Sequence, residues 1–203
     1  EAAARCLVTV GHTETAERLD LGPRILAIVE RAERCLHILL LLDERPGNEP
    51  LRIALHDELG AAARRAEVLL DLVHDARAIG MAVSALGSST SRSRNSALEM
   101  LEVTVGRALA PTVVGVLDPL LSDAARHAAL EGRVAVPRHD LGAWLRDLVV
   151  DPDGTWDDPW LRACALYAAA ASLPARWILS GTGADRLGPA SAVAAGATGH
   201  AAR

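Results

Sequence analysis

From Ile25 onward the apolar positions fall at Ile25, Ile28, Val29, Ala32, Cys35, Leu36, Leu39 and Leu40, with Glu30, Arg31, Glu33 and Arg34 between them. That spacing is a helix with one buried stripe. Gly22-Pro23 marks its start, because a proline at the first helical position gives up an amide that has no acceptor there, and Arg45-Pro46-Gly47-Asn48 marks its stop. A second helix opens at Pro50 and aligns Leu51, Leu55, Leu59, Ala62, Ala66, Leu69, Leu70 and Val73 on one face. The two stripes predict an antiparallel hairpin.

The pattern then repeats in shorter pieces. Ala76 to Leu86 is a helix, the run Gly87-Ser88-Ser89-Thr90-Ser91-Arg92-Ser93 breaks it, and residues 94–106 resume helical spacing through Ala97, Leu98, Leu101 and Val105. Pro111 opens a stripe of Val113, Val116, Leu117, Leu120 and Leu121, with a bend expected at Asp118-Pro119. A short helix is expected over Asp123–Glu131. Leu141, Trp144, Leu145, Leu148 and Val149 form the next stripe, and Asp158-Pro159 supplies a cap and a first-position proline for a last helix, Trp160 to Ser172. No segment alternates apolar and polar positions with β-branched enrichment, so the sequence predicts an all-α fold without a sheet. Residues 1–21 read as an N-terminal helical or linker segment, 22–178 as one helical-repeat domain, and 179–203, rich in Gly and Ala, as a flexible tail.

Three helix-to-helix junctions look alike. The first reads Leu41-Leu42-Asp43, a turn, then Leu51-Arg52 and Ala54-Leu55. The second reads Leu86-Gly87, serines, then Arg94, Ala97 and Leu98, and the third Leu148-Val149-Val150-Asp151, a turn, then Leu161-Arg162, Ala165 and Leu166. Physically this is a hairpin whose small alanine allows close helix approach, whose leucines fill the groove between helices, and whose arginine reaches acceptors in a turn. The pattern resembles the HEAT repeat, and that resemblance implies stacked antiparallel hairpins in a HEAT/armadillo-like right-handed solenoid, although the junctions do not recur at an even period.

Residues 50–122 and 141–170, above all Arg94-Asn95-Ser96-Ala97-Leu98-Glu99-Met100-Leu101-Glu102, are similar to the HEAT-like region of bacterial transporter-type proteins related to the ATP/ADP carriers. In that family a carrier-like membrane portion precedes the repeats and a cyclic-nucleotide-binding domain often follows. Neither is legible in this sequence, which begins with Glu and reads as a piece of a longer chain. The resemblance therefore implies a connector or scaffold on the cytoplasmic side of a membrane, and it carries neither transport nor nucleotide binding to any residue here.

Composition narrows the chemistry. All 21 basic residues among the 203 are arginine, with no Lys, Gln or Phe anywhere in the sequence. A P-loop lysine, a pyridoxal Schiff base and a lysine general base are thereby excluded. The net charge of -5 is spread along the chain without a basic face, which disfavours nucleic acid as a partner. Cys6, Cys35 and Cys164 lack the spacing of a zinc site or a disulfide framework, which fits a reducing, cytoplasmic setting. The longest strongly apolar run, Cys35 to Leu42, falls short of the roughly 20 residues of a spanning helix.

Candidate chemistry is sparse. His56-Asp57-Glu58, His74-Asp75 and His139-Asp140 place imidazole beside carboxylate, but neighbours on a helix point about 100° apart and do not face one ligand. Asp151-Pro152-Asp153-Gly154-Thr155-Trp156-Asp157-Asp158 gathers four carboxylates without the register of a calcium loop, and reads as an acidic turn at the start of the last helix. Serines 88, 89, 91, 93 and 96 have no nucleophile elbow. All five aromatic residues, Trp144, Trp156, Trp160, Tyr167 and Trp177, lie within 144–177. Trp144 and Trp160 are expected to fill the core, with Trp156 and Trp177 exposed; Trp156, Trp160 and Trp177 are the candidate contacts for a protein partner. The expectation is a non-catalytic protein-interaction module with no metal and no cofactor. Its alternatives are a HEAT-like enzyme acting on nucleic-acid bases, which would need a basic aromatic groove, and a ligand-sensing helical bundle.

Overall fold

The computed structural model describes residues 22–152 and 154–172. The N-terminal segment 1–21, the tail 179–203 and Trp177 lie outside them. The described residues form eight α-helices and one 3-10 turn, with no strand. These are α1 (Gly22–Leu41), the turn Pro46–Asn48, α2 (Glu49–Val73), α3 (Ala76–Leu86) and α4 (Ser91–Val105). After them come α5 (Ala110–Leu117), α6 (Asp123–Leu130), α7 (Leu141–Val150) and α8 (Pro159–Ser172). The protein is all-α, as the periodicity predicts.

Two local expectations change. The helix after the serine run starts at Ser91 rather than residue 94, so the break is only residues 87–90. Asp118-Pro119 does not bend a helix but ends one. Asp118 closes α5, its amide bonding Val114 O, and Leu120 and Leu121 fall in the connection that follows. The residue before a proline is pushed out of the helical region, and Asp118 takes an extended ψ of 109°.

The chain divides into two compact units. The first takes residues 22–37 with 57–136. In it α3 packs on α4, α5 on α6, and α4 meets α5. Its core holds Val29, Cys35 and Leu36 from α1, Leu59, Ala62 and Ala66 from α2, Ile79, Ala82 and Leu86 from α3, and Leu101 from α4, with Val116 and Leu130 closing the α5–α6 end. Burying the valine, leucine and isoleucine side chains among them contributes about 1.5–3 kcal/mol each. Asp75 caps α3 by accepting from the amides of Arg77 and Ala78, and Ser122 caps α6 through the Ala125 amide at 3.3 Å. Arg31 of α1 pairs with Glu58 of α2 at 2.6 Å, joining the helices across 27 residues. Gly115 marks the closest approach of α5 to α6: a Cβ there would meet Leu130 Cδ2 at 2.9 Å and Ala129 Cβ at 3.0 Å.

The second unit takes residues 38–56 with 137–172. Here α8 packs on α7 and also on the Pro46–Asn48 turn. Ile38, Leu39, Leu51 and Leu55 share the interior with Trp144, Leu145, Leu148, Leu161, Cys164 and Ala165. The turn is tied by Asn48, only 1 % exposed, whose Nδ2 donates to Asp43 Oδ1 at 2.6 Å and to Asp43 O at 3.3 Å. Gly47 lies so near α8 that a Cβ would stand 2.7 Å from Ala171 Cβ.

The glycines give a test with opposite signs. Gly80 lies on an exposed face of α3, where a Cβ meets nothing within 4 Å. Gly80→Ala is expected to stabilise by about 0.5–1 kcal/mol through helix propensity. At Gly115 the same gain is outweighed by overpacking of about 1–3 kcal/mol against Leu130 and Ala129, for a net loss of about 1 kcal/mol. Urea unfolding midpoints of the two variants should move in opposite directions from the parent.

Candidate interaction surface

The ends of helices leave carbonyls and amides without intrahelical partners, and here aspartate and arginine side chains take them up. Arg52, near the start of α2, donates from Nη1 to Leu42 O at 3.1 Å, just beyond the end of α1. Arg94, in the first turn of α4, is paired with Asp118 in the α5–α6 connection. Asp118 is 1 % exposed and its Oδ1 also accepts from the Leu120 amide at 2.8 Å. Arg162 of α8 faces Asp151 across 3.8 Å. Each arginine of the three look-alike junctions thus reaches a turn acceptor.

A fourth junction of the same kind was missed in the sequence. Arg126 of α6 donates to Gly115 O at 3.0 Å and Val116 O at 2.9 Å, the last carbonyls of α5. Burial lowers the pKa of this guanidinium, while Asp123 and Asp118 hold it up. The signal was present: Arg126, Ala129 and Leu130 repeat the spacing of Arg94, Ala97 and Leu98 and of Arg162, Ala165 and Leu166. An expected bend at Asp118-Pro119 hid it, because a bent helix offers no junction to compare.

The last junction sets what α8 shows to solvent. Asp151 ends α7 in the left-handed region with φ 43°. Its carboxylate accepts from the amide of Trp156 at 3.1 Å and of Asp157 at 3.0 Å, which folds the acidic turn back on itself. Trp156 is drawn inward and is 2 % exposed. The expectation that a tryptophan in a turn faces solvent is therefore corrected: the turn is built around it. Asp158 then caps α8, its Oδ1 accepting from Trp160 at 2.8 Å and Leu161 at 3.2 Å.

With that start fixed, Leu161, Cys164, Ala165, Leu166, Ala168 and Ala169 are buried and the opposite strip faces outward. Trp160 is 61 % and Tyr167 51 % exposed. Trp160 thus does not fill the core as expected, because it stands one residue before the buried Leu161, at the edge of the helix's first turn. Trp144 does, at 0 % exposed, with its ring edge-on to His139 at 4.9 Å between centroids. Of the three candidate contacts, Trp160 is on the surface, Trp156 is inside, and Trp177 is beyond the described residues. Tyr167, seven residues after Trp160, joins it on one helix face.

The other candidates resolve into structural roles. Glu58 pairs with Arg31, Asp75 caps α3, and Asp140 caps α7 through the Ala143 amide at 2.7 Å. The hydroxyls of Ser88, Thr90 and Ser93 bond one another at 2.8–3.1 Å. Among the described residues no three His, Cys, Asp or Glu side chains gather as they would around a metal ion, and no helix is long and apolar enough to cross a membrane. Burial pushes the Cys35 thiol up to about 12, aided by Glu58, and also raises Cys164, so both thiols are held protonated at neutral pH, unlike a nucleophilic cysteine.

No protein-family model, no curated protein and no solved structure matches the chain.

Two predictions follow from the junction chemistry. Arg94→Ala takes the hydrogen-bonded partner from the buried Asp118, leaving it the Leu120 amide and the field of Arg126, and is expected to cost about 3–5 kcal/mol. Asp118→Ala releases an arginine that can reach water and leaves mainly one orphaned amide, about 1–3 kcal/mol. Chemical denaturation of the pair should give that order, and the reverse order would refute the assignment. Burial lowers the His74 imidazole below its ordinary value, so protonation favours the unfolded chain. Its contribution is whole above about pH 6.5 and declines as the pH falls below it. The drop in urea midpoint from pH 7.5 to 5.5 should shrink in His74→Asn.

Proposed function

We propose that this protein is a non-catalytic docking module built of HEAT-like helical hairpins. The observation that carries the reading is the pair Trp160 and Tyr167, two large aromatic side chains left in solvent on one face of a helix whose opposite face is buried. Aromatic residues of this kind dominate the energetics of protein interfaces, where covering them removes a large apolar area from water. The HEAT-like part rests on the arginine, alanine and leucine spacing common to α4, α6 and α8, together with the turn acceptors that each arginine reaches. The hairpins are not joined in chain order alone, since α8 packs on the Pro46–Asn48 turn. The resemblance read in the sequence of residues 50–122 and 141–170 to ATP/ADP-carrier-related proteins suggests a setting as the cytoplasmic connector of a transporter-like parent with a cyclic-nucleotide sensor. Its partner would be another protein, or another domain of that parent, rather than nucleic acid, and it would need no cofactor.

A photo-cross-linking residue placed at position 160 tests the docking face against the same residue at the exposed Arg92 of α4. The expected result is a discrete adduct from position 160 that is lost on Tyr167→Ala, with none from position 92. Equal, diffuse labelling at both positions would overturn the reading.

A further inference from the structure

Among residues 159–171 of α8 only Pro159, Trp160, Tyr167 and Ala171 are exposed, so the outward face is narrow and is set by two rings seven residues apart. Seven residues of helix rise about 10 Å, the length of a short apolar track. Its Trp160 end is negative. Asp158 caps the helix there, with Oδ1 2.8 Å from the Trp160 amide nitrogen. Asp157, just before the cap, is exposed and is held at φ 36° by its amide bond to Asp151 Oδ2 at 3.0 Å. Its own carboxylate has no hydrogen bond or ion pair among the described residues. Arg162, the only cation of α8, is turned to Asp151 and does not offset it. Residues 146–172 hold five aspartates against two arginines, a net -3 of the chain's -5.

We propose that this face takes a basic segment of another protein, with an arginine or lysine laid over the Trp160 ring and directed to the Asp157 carboxylate. The proposal rests on the docking reading above and supplies the chemistry of the partner. An indole is the best aromatic face for a cation, and a carboxylate within one helical turn draws the same charge. Arginine suits the pair best, because its planar guanidinium stacks on a ring and bonds a carboxylate through a fork. Farther along, where α8 carries no charge, Tyr167 takes an apolar side chain of the same segment. Partner and face thus share an order, cation at one end and apolar residue at the other, which an extended chain spans in about three residues. The carboxylates repel phosphate, so neither nucleic acid nor an anionic membrane surface fits this face. The site is small and its charges are exposed, so binding is weak and falls with salt.

The probe is a short dye-labelled Gly/Ser peptide carrying paired arginines with a leucine three residues on, compared with the same peptide bearing Glu or Gln in place of Arg. Fluorescence anisotropy with the full chain gives the affinity, and the indole N–H signal of Trp160 in the 15N-labelled protein gives the place. The expected result is saturable binding of the Arg peptide that shifts this indole and weakens about threefold or more from about 0.02 to about 0.3 M salt. Trp160→Ala and Asp157→Asn each weaken it about two- to fivefold. Asn accepts the positive φ at 157 and Trp160 projects into solvent, so both variants stay folded, which helical content and melting check. Glu99→Gln, which removes an exposed charge on α4, leaves binding unchanged. Equal binding of the Glu peptide, a loss in Glu99→Gln as large as in Asp157→Asn, or a duplex DNA or anionic vesicle that shifts the same indole overturns the proposal. A Gln peptide that matches the Arg peptide and still needs Trp160, or an Arg peptide that fails to bind while position 160 keeps its cross-linked adduct, sinks the cationic partner alone and leaves the docking reading standing. Loss of both signals sinks both.

Discussion

Every helical hairpin has the same difficulty at its turn: carbonyls left over from one helix and amides waiting at the start of the next, in a place too crowded for water to serve them all. In this protein the leftover groups are met by side chains placed at the junction. Asp75, Ser122, Asp140 and Asp158 accept the amides that open α3, α6, α7 and α8. Arg52 and Arg126 donate to carbonyls at the ends of α1 and α5. Where the acceptor is itself a carboxylate, as at Asp118 and Asp151, one residue organises the turn and anchors the arginine of a neighbouring helix.

This arrangement gives a reason for the unusual basic composition. A guanidinium presents several donors in a fixed plane and can hold two carbonyls at once, as Arg126 does at the end of α5. An ammonium is a more strongly hydrated point charge and would hold such a turn less well when half-buried. The abundance of alanine fits the same plan. Ala62, Ala82, Ala97 and Ala165 are buried where helices come close, and Gly115 takes the place of a side chain where even a methyl group would crowd Leu130. Large side chains on those faces would force the helices apart and carry the arginines out of reach of their acceptors.

Much of this was readable in advance. Helix positions followed from the three-to-four residue spacing of leucine and valine, and the bounds of α3 were met at both ends, because Asp75 and Gly87 flank a clean stripe. What periodicity could not resolve was decided by individual polar contacts. The inward turn of Trp156 depends on a carboxylate five residues earlier accepting its amide, and nothing in the local pattern distinguishes that tryptophan from an exposed one. The outward position of Trp160 depends on which residue begins the buried face of α8, a matter of one position in register. The Asp118–Arg126 junction was hidden by an apolar run that continues past the end of the helix to Leu120 and Leu121, since hydrophobicity marks what is buried more surely than where a helix stops.

The discontinuity of the second unit bears on the order in which the protein can be made. Its two parts, residues 38–56 and 137–172, are separated by the whole of 57–136. During synthesis the Pro46–Asn48 turn emerges early, but the helix that covers it is translated only after the whole of 57–136. Contacts within α3–α4 and α5–α6 are local and form quickly, whereas this closure waits on a long stretch of chain. Until α8 arrives, Leu51 and Leu55 have no complete interior to enter, and the nascent chain carries an uncovered apolar end that a chaperone could recognise and that a stalled ribosome would leave open to aggregation.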